Sequence, residues 1–192
     1  MAKKRTPSRA DAARYQTVYA RDEGSIAAPT AGMHFTDDLI ATLKKSGVKF
    51  SYITLHVGRG TFRPITSEDA SAHVMLGERY EVEPAEAAVM AEARARGGRL
   101  VSVGTTTTRT LETLAARPEG LGPGSGESAL YITPGFKFRA VDALITNFHL
   151  PRSTPLLLAS AFAGRERLLA AYKEAVALRY RLYSFGDATL IL

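Results

Sequence analysis

Between Thr36 and Gly47 the apolar residues Leu39, Ile40 and Leu43 recur three and four apart, the period of one helix face. Thr36 is placed to cap that helix and Gly47 to end it. The pattern then changes. "VKFSYITLHVG" is β-rich and predicts a buried strand ending at His56, followed by the Gly-rich loop "GRGTFRP". "ERYEVEP" predicts a short strand. "PAEAAVMAEARARGG" predicts a helix with Pro84 in its first turn and Gly97 just past its end. "RLVSVG" reads as a strand and "TTTTRTLETLAAR" as the helix after it. "PEGLGPGSGES" reads as a flexible surface loop, "ALYITP" and "AVDALIT" as strands. Two helices are expected within 153–179, and "DATLIL" closes the chain as a strand. Alternation of this kind predicts an α/β fold, a single domain with a sheet flanked by helices.

Composition bounds the picture. The chain has 192 residues, 45% of them hydrophobic, enough for one sizeable core. Residues 1–13 lack apolar periodicity and carry Lys3, Lys4, Arg5 and Arg9, so they are expected to form a basic, flexible arm before the α/β domain of 14–192. The arm has no apolar h-region and does not read as a signal peptide. The absence of cysteine excludes disulfides and thiolate metal sites. It fits a reducing cytoplasm, the expected location. A net charge of +6 favours polyanionic partners such as nucleic acid.

Three stretches carry candidate chemistry. In "RLVSVGTTTTRTLE" a strand ends at Gly104 and a helix begins, so free backbone amides, Thr105, Thr106 and Arg109 can receive an anion. The alternative is a Thr acting as an ordinary helix cap. The four histidines, His34, His56, His73 and His149, each stand at or just past the end of an apolar segment. Their spacing forms no zinc motif, which leaves acid–base or substrate-binding roles, with a plain structural role as the alternative. In "LITNFHLPRSTPLLL", Asn147 and His149 alternate with Phe148 at the end of a strand that Pro151 stops. Both polar residues are expected to face one cavity and Phe148 to pack in the core.

The runs "YQTVYA", "GSIAAPTAGMHFT", "TLHVGRGTFRPI", "VGTTTTRTLE", "PGFKFRAVDALITNFHLPRST", "SAFAG" and "YRLYSFGDATLI" resemble, in order, those of the S-adenosylmethionine:tRNA ribosyltransferase-isomerase family of queuosine synthesis. That resemblance implies transfer of the ribosyl part of S-adenosylmethionine (AdoMet) to the aminomethyl group of a 7-deazaguanine in tRNA. The ribosyl rearranges to an epoxycyclopentane, and adenine and methionine leave. AdoMet is then a substrate, and no cofactor or metal is implied. On the matching motifs, His34, His56, Glu78 and His149 are the catalytic candidates. Thr105, Thr106, Arg109, Asn147 and Asp187 are the binding candidates, with Tyr183 and Phe148 near a sulfonium. Two departures stand out. Leu76 in "HVMLGE" occupies a position where the family often has His. The chain also looks like the family's C-terminal half, without the Asn-Asn-Thr-Arg motif and the β-barrel domain. A homo-oligomer, or a partner chain supplying the other half, would then cover an open sheet edge. Two alternatives remain beside an active enzyme: a non-catalytic AdoMet- or RNA-binding module, and an AdoMet-using enzyme of altered substrate.

Overall fold

The structure, a computed structural model, describes residues 15–58 and 65–192. The expected basic arm of 1–13 and most of the "GRGTFRP" loop lie outside the described residues. Among those described, the chain is α/β, with five α-helices and two open three-stranded sheets in place of the single sheet expected. The strands among the described residues do not close into a barrel. No helix among the described residues is long and apolar enough to cross a membrane.

The first sheet is antiparallel, in the order β1 (Thr54–His56), β2 (Glu78–Val82), β4 (Gly124–Ser128). Along β2, Glu78, Tyr80 and Val82 are buried while Arg79 and Glu81 face out, the period-two pattern of a half-buried strand. Three expectations are corrected here. The long strand expected over 48–56 shrinks to Thr54–His56, and its residues are only partly buried. "ALYITP" forms no strand, although Ile132 within it is buried. The expected loop "PEGLGPGSGES" instead supplies β4. Its glycines have a packing reason: the Tyr80 ring lies so close that a Cβ on Gly126 would meet its hydroxyl at 2.9 Å. A strand selected for lack of side chains carries no apolar alternation to read.

The second sheet has the order β3 (Val101–Val103), β5 (Ala143–Asn147), β6 (Ala188–Ile191). β3 and β5 are parallel and β6 runs antiparallel to β5. Helix α1 (Asp37–Lys45) begins at Thr36, whose hydroxyl accepts the Leu39 amide at 3.1 Å. Helix α2 spans Pro84–Ala95. Helix α3 (Thr105–Ala115) follows β3 and touches both sheets, resting on β4 of one and on β3 and β5 of the other. One face of α3 therefore enters a core of Tyr80, Val82, Met90, Leu111 and Leu114. Helix α4 (Thr154–Ala163) places Leu158 against Leu144 and Ile132 in a second core. Ser153 caps α4 by accepting the Leu156 amide at 3.4 Å, and α5 (Arg165–Ala177) follows directly. Because β3 and β5 are parallel, their C-terminal ends lie on one edge of the sheet, where α/β folds gather ligands.

Candidate functional site

At that edge β5 ends at Asn147. Its side chain is 3% exposed and both amide atoms are used. The Thr30 hydroxyl donates to Oδ1 at 2.9 Å, and Nδ2 donates to His34 Nε2 at 3.2 Å. Thr30 and His34 bound a short 3-10 helix that packs on β5. With Nε2 accepting, the His34 proton sits on Nδ1. The Cα partner of Asn147 on β6 is Ala188, so Asp187 stands beside the pair. Hydrogen bonds from Arg181 hold the Asp187 carboxyl below its usual range, and nearby His34 makes a smaller contribution in the same direction.

Thr146 and Asn147 are neighbours on a strand and point to opposite faces. The ring of His149 turns back to Thr146, Nε2 to Oγ1 at 2.8 Å, and its backbone N–H donates to the Tyr172 hydroxyl at 2.9 Å. The expectation that Asn147 and His149 share one cavity is thereby corrected: they are held on opposite sides of β5. Phe148 is buried as expected, edge-on to Tyr172 and Tyr180. Burial pushes the His149 pKa down from 6.5 to about 4. A folded state that holds His149 neutral binds fewer protons than the unfolded chain between these two values. Stability is therefore complete above about pH 6.5 and is lost as pH falls toward 4. A shift of this size is worth ~3 kcal/mol at most. In His149→Asn, chemical denaturation at stepped pH should give a flatter stability curve across that window. An unchanged slope would remove His149 as its source.

On the helix side of the sheet, Gly104 is the N-cap of α3 with φ 94°, a conformation that favours glycine and brings no capping side chain. The starts of α3 and α4 then meet at a small cleft. Thr105, Arg109, Thr154 and Pro155 line it, with Met75, Ile132 and Leu158 behind. Thr106, the next residue of α3, is partly buried. Arg109 forms a buried ion pair with Glu78, through Nη2 and Oε2, with both side chains almost wholly covered. Its Nη1 is buried and has no hydrogen-bond partner among the described residues. Burial lowers the Arg109 pKa and the Glu78 charge opposes that change. Half of this guanidinium thus anchors β2 to α3, and half remains for something else.

Other candidates fall elsewhere. His56 belongs to the first sheet, where it pairs with Arg79 and packs under Gly24. The His73 ring lies against Tyr131, and Leu76 is exposed. Sequence reasoning missed Thr30, which orients Asn147, and Glu112. The Glu112 carboxylate accepts the amides of Arg139, Ala140 and Val141 at 2.8, 3.0 and 2.9 Å and so fixes the entry to β5. A buried acid in the middle of "TTTTRTLETLAAR" was the available signal for the second.

A family model described as queuosine biosynthesis protein matches residues 2–191. The chain belongs to this family. Among family members, the S-adenosylmethionine:tRNA ribosyltransferase-isomerase of Anaeromyxobacter dehalogenans (strain 2CP-C) is 60% identical over 189 residues, covering 98% of this chain and 54% of that protein. The enzyme of the same name from Moorella thermoacetica is 59% identical, covering 95% of this chain and 54% of its own length. The crystal structure of the Thermotoga maritima S-adenosylmethionine tRNA ribosyltransferase superposes with a TM-score of 0.72 at 49% identity. It covers 85% of this chain and 51% of that one. The chain spans about half the length of the curated relatives it matches.

Proposed function

We propose that this chain supplies the strand-end ligand site of an S-adenosylmethionine:tRNA ribosyltransferase-isomerase, in the cytoplasm. The observation that carries the reading is the convergence of His34, Asn147 and Asp187 at the end of β5, beside the amide-rich start of α3. AdoMet has one cationic centre, the sulfonium, and one carboxylate on its methionine part. Asp187 offers the sulfonium a carboxylate, and the α3 start with Arg109 Nη1 offers the anionic end its donors. A ligand lying across the C-terminal ends of β3 and β5 reaches both sides of the sheet.

The reaction removes a proton beside the sulfonium and delivers one to departing adenine. His34 suits the second step, because Asn147 fixes the tautomer that carries hydrogen on Nδ1. His149 is held neutral by burial and borders the same edge as a hydrogen-bonding group for the nucleoside. Thr105 and Thr106 take a carboxylate or a phosphate. Glu78 acts through Arg109, holding the guanidinium at the cleft. His56, in the other sheet, receives no step. The aminomethyl group of the tRNA base is the acceptor, and adenine and methionine leave.

The test is adenine release from AdoMet in the presence of precursor tRNA. The chain should be assayed alone and with the N-terminal half of a full-length relative added in trans, with chelator present throughout. Release should require tRNA, and His34→Ala should lower it ~100-fold, the scale of a lost general acid. Release in neither assay, or an unaffected His34→Ala, overturns the reading. AdoMet binding by calorimetry should persist in chelator, since no metal takes part.

A further inference from the structure

The loop that delivers Asp187 to the site has features the reaction does not need. Over 179–185 the sequence reads Arg-Tyr-Arg-Leu-Tyr-Ser-Phe, three aromatics interleaved with two arginines. All three rings are exposed: Tyr180 47%, Tyr183 45% and Phe185 64%. A loose loop would explain that exposure, but this loop is built. Arg181 N donates to Asp187 Oδ2 at 2.8 Å, Arg181 Nη2 to Oδ1 at 2.9 Å, and Asp187 N to Arg181 O at 2.8 Å. Inside that ring Gly186 N donates to Tyr183 O at 2.9 Å, and Tyr183 N ties the loop to Phe148 O at 3.0 Å. The turn is tight enough that a Cβ on Gly186 would sit 2.4 Å from Arg181 O.

The backbone is also strained where it presents the rings. Tyr183 has φ 72° and Arg179 φ 61°, left-handed conformations that cost a bulky residue energy and persist where the surroundings enforce them. Phe185 is extended by Tyr15, whose ring centroid lies 5.5 Å away. The loop ends at Asp187 beside His34, and Tyr183 N bonds Phe148 O next to Asn147, so the loop borders the proposed site.

We propose that Tyr183 and Phe185 form a stacking platform for an unpaired nucleotide of an RNA strand, placed next to the base that enters the site, with Arg179 on the phosphate backbone. The inference rests on the function proposed above. Every base has a π-face, so exposed aromatics interleaved with arginine fit a single strand, and the net charge of +6 attracts it. A protein surface is the competing occupant, and the experiment separates the two.

The probes are a fluorescently labelled RNA hairpin and labelled oligouridine, titrated by anisotropy into the full chain. Tyr183→Asn removes the ring while keeping a residue that tolerates positive φ, and Phe185→Ser removes the other ring. Each should weaken hairpin binding about 10-fold, and the pair about 100-fold. The dependence on salt should stay as in wild type, because no phosphate contact is lost. Arg179→Gln should reduce the salt slope by about one. AdoMet affinity, measured in parallel, should be unchanged in Phe185→Ser, since Phe185 has no part in AdoMet binding. RNA affinity equal to wild type in the double variant overturns the platform and leaves the AdoMet reading standing. Variants that alter sedimentation mass but not RNA affinity overturn it in favour of a protein interface. Absence of both RNA and AdoMet binding in wild type overturns the platform and the functional reading together.

Discussion

Replacing Glu112 with Ala is expected to lower the unfolding free energy by about 3–5 kcal/mol, because three amides lose their acceptor, those of Ala140 and Val141 inside the core. Glu112 is 1% exposed, and its two oxygens take all three N–H groups of 139–141. Alanine leaves no group that can reach them. Ala140 is wholly buried and Val141 is 5% exposed, so water cannot easily substitute. Each buried unsatisfied donor costs roughly 1–3 kcal/mol, and relaxation of a shared loop keeps the sum below simple addition. Glu112→Gln keeps one carbonyl oxygen and should fall between wild type and Ala. In a thermal melt the Ala variant should shift by ~10 °C, at about 2–4 °C per kcal/mol for a chain of this size. Urea denaturation measures it directly. A loss under 1 kcal/mol would show that 139–141 rearranges and finds other acceptors. The consequence for function is positional: 139–141 feeds β5, and β5 ends at Asn147.

Elements with a periodic apolar face were legible in the sequence. Helices α1 and α2 announce themselves through Thr36, Pro84 and Gly97, residues whose local chemistry is the same in any fold. β4 was not legible, because its glycines answer to the Tyr80 ring across the sheet, a contact 46 positions away in the chain. The single expected sheet became two for a related reason. Alternating strands and helices say which segments are strands, and not which pair, and α3 keeps β4 apart from β3 by packing against both. At the site the strand-end position of Asn147 could be read from "AVDALITNFHLP". What could not be read was its partners, since Thr30 and His34 lie more than 110 residues away. Alternation placed Asn147 and His149 on one side only for as long as the strand continued. It stops at Asn147, and past that point His149 is positioned by Thr146 and Tyr172 instead. Arg109 shows the same limit. A cation one turn into a helix predicts an anion, and the nearest anion belongs to the protein itself.

That ion pair sets the second large effect. Arg109→Ala is expected to cost about 3–5 kcal/mol of stability, the penalty for leaving one member of a buried pair behind. Arg109 is 5% exposed and Glu78 3% exposed, so solvent screens neither charge well. Stability alone does not distinguish a structural pair from one that also serves a ligand, because both lose it. The pair must be replaced as a unit. Arg109→Met with Glu78→Leu removes both charges at similar volume, and such replacements are typically neutral or stabilising by about 1–4 kcal/mol. The double variant should therefore regain most of the stability lost by Arg109→Ala. It should not regain AdoMet affinity, because the buried Nη1, which has no acceptor among the described residues, has gone with the guanidinium. A charge-assisted hydrogen bond lost at that cleft corresponds to about 1.5–3 kcal/mol, or roughly a 10- to 150-fold weaker Kd. Denaturation and calorimetry on the same preparations give both numbers. A folded double variant that binds AdoMet as wild type would confine Arg109 to holding β2 against α3, and the anionic end of the ligand would then rest on the amides of Thr105 and Thr106 alone.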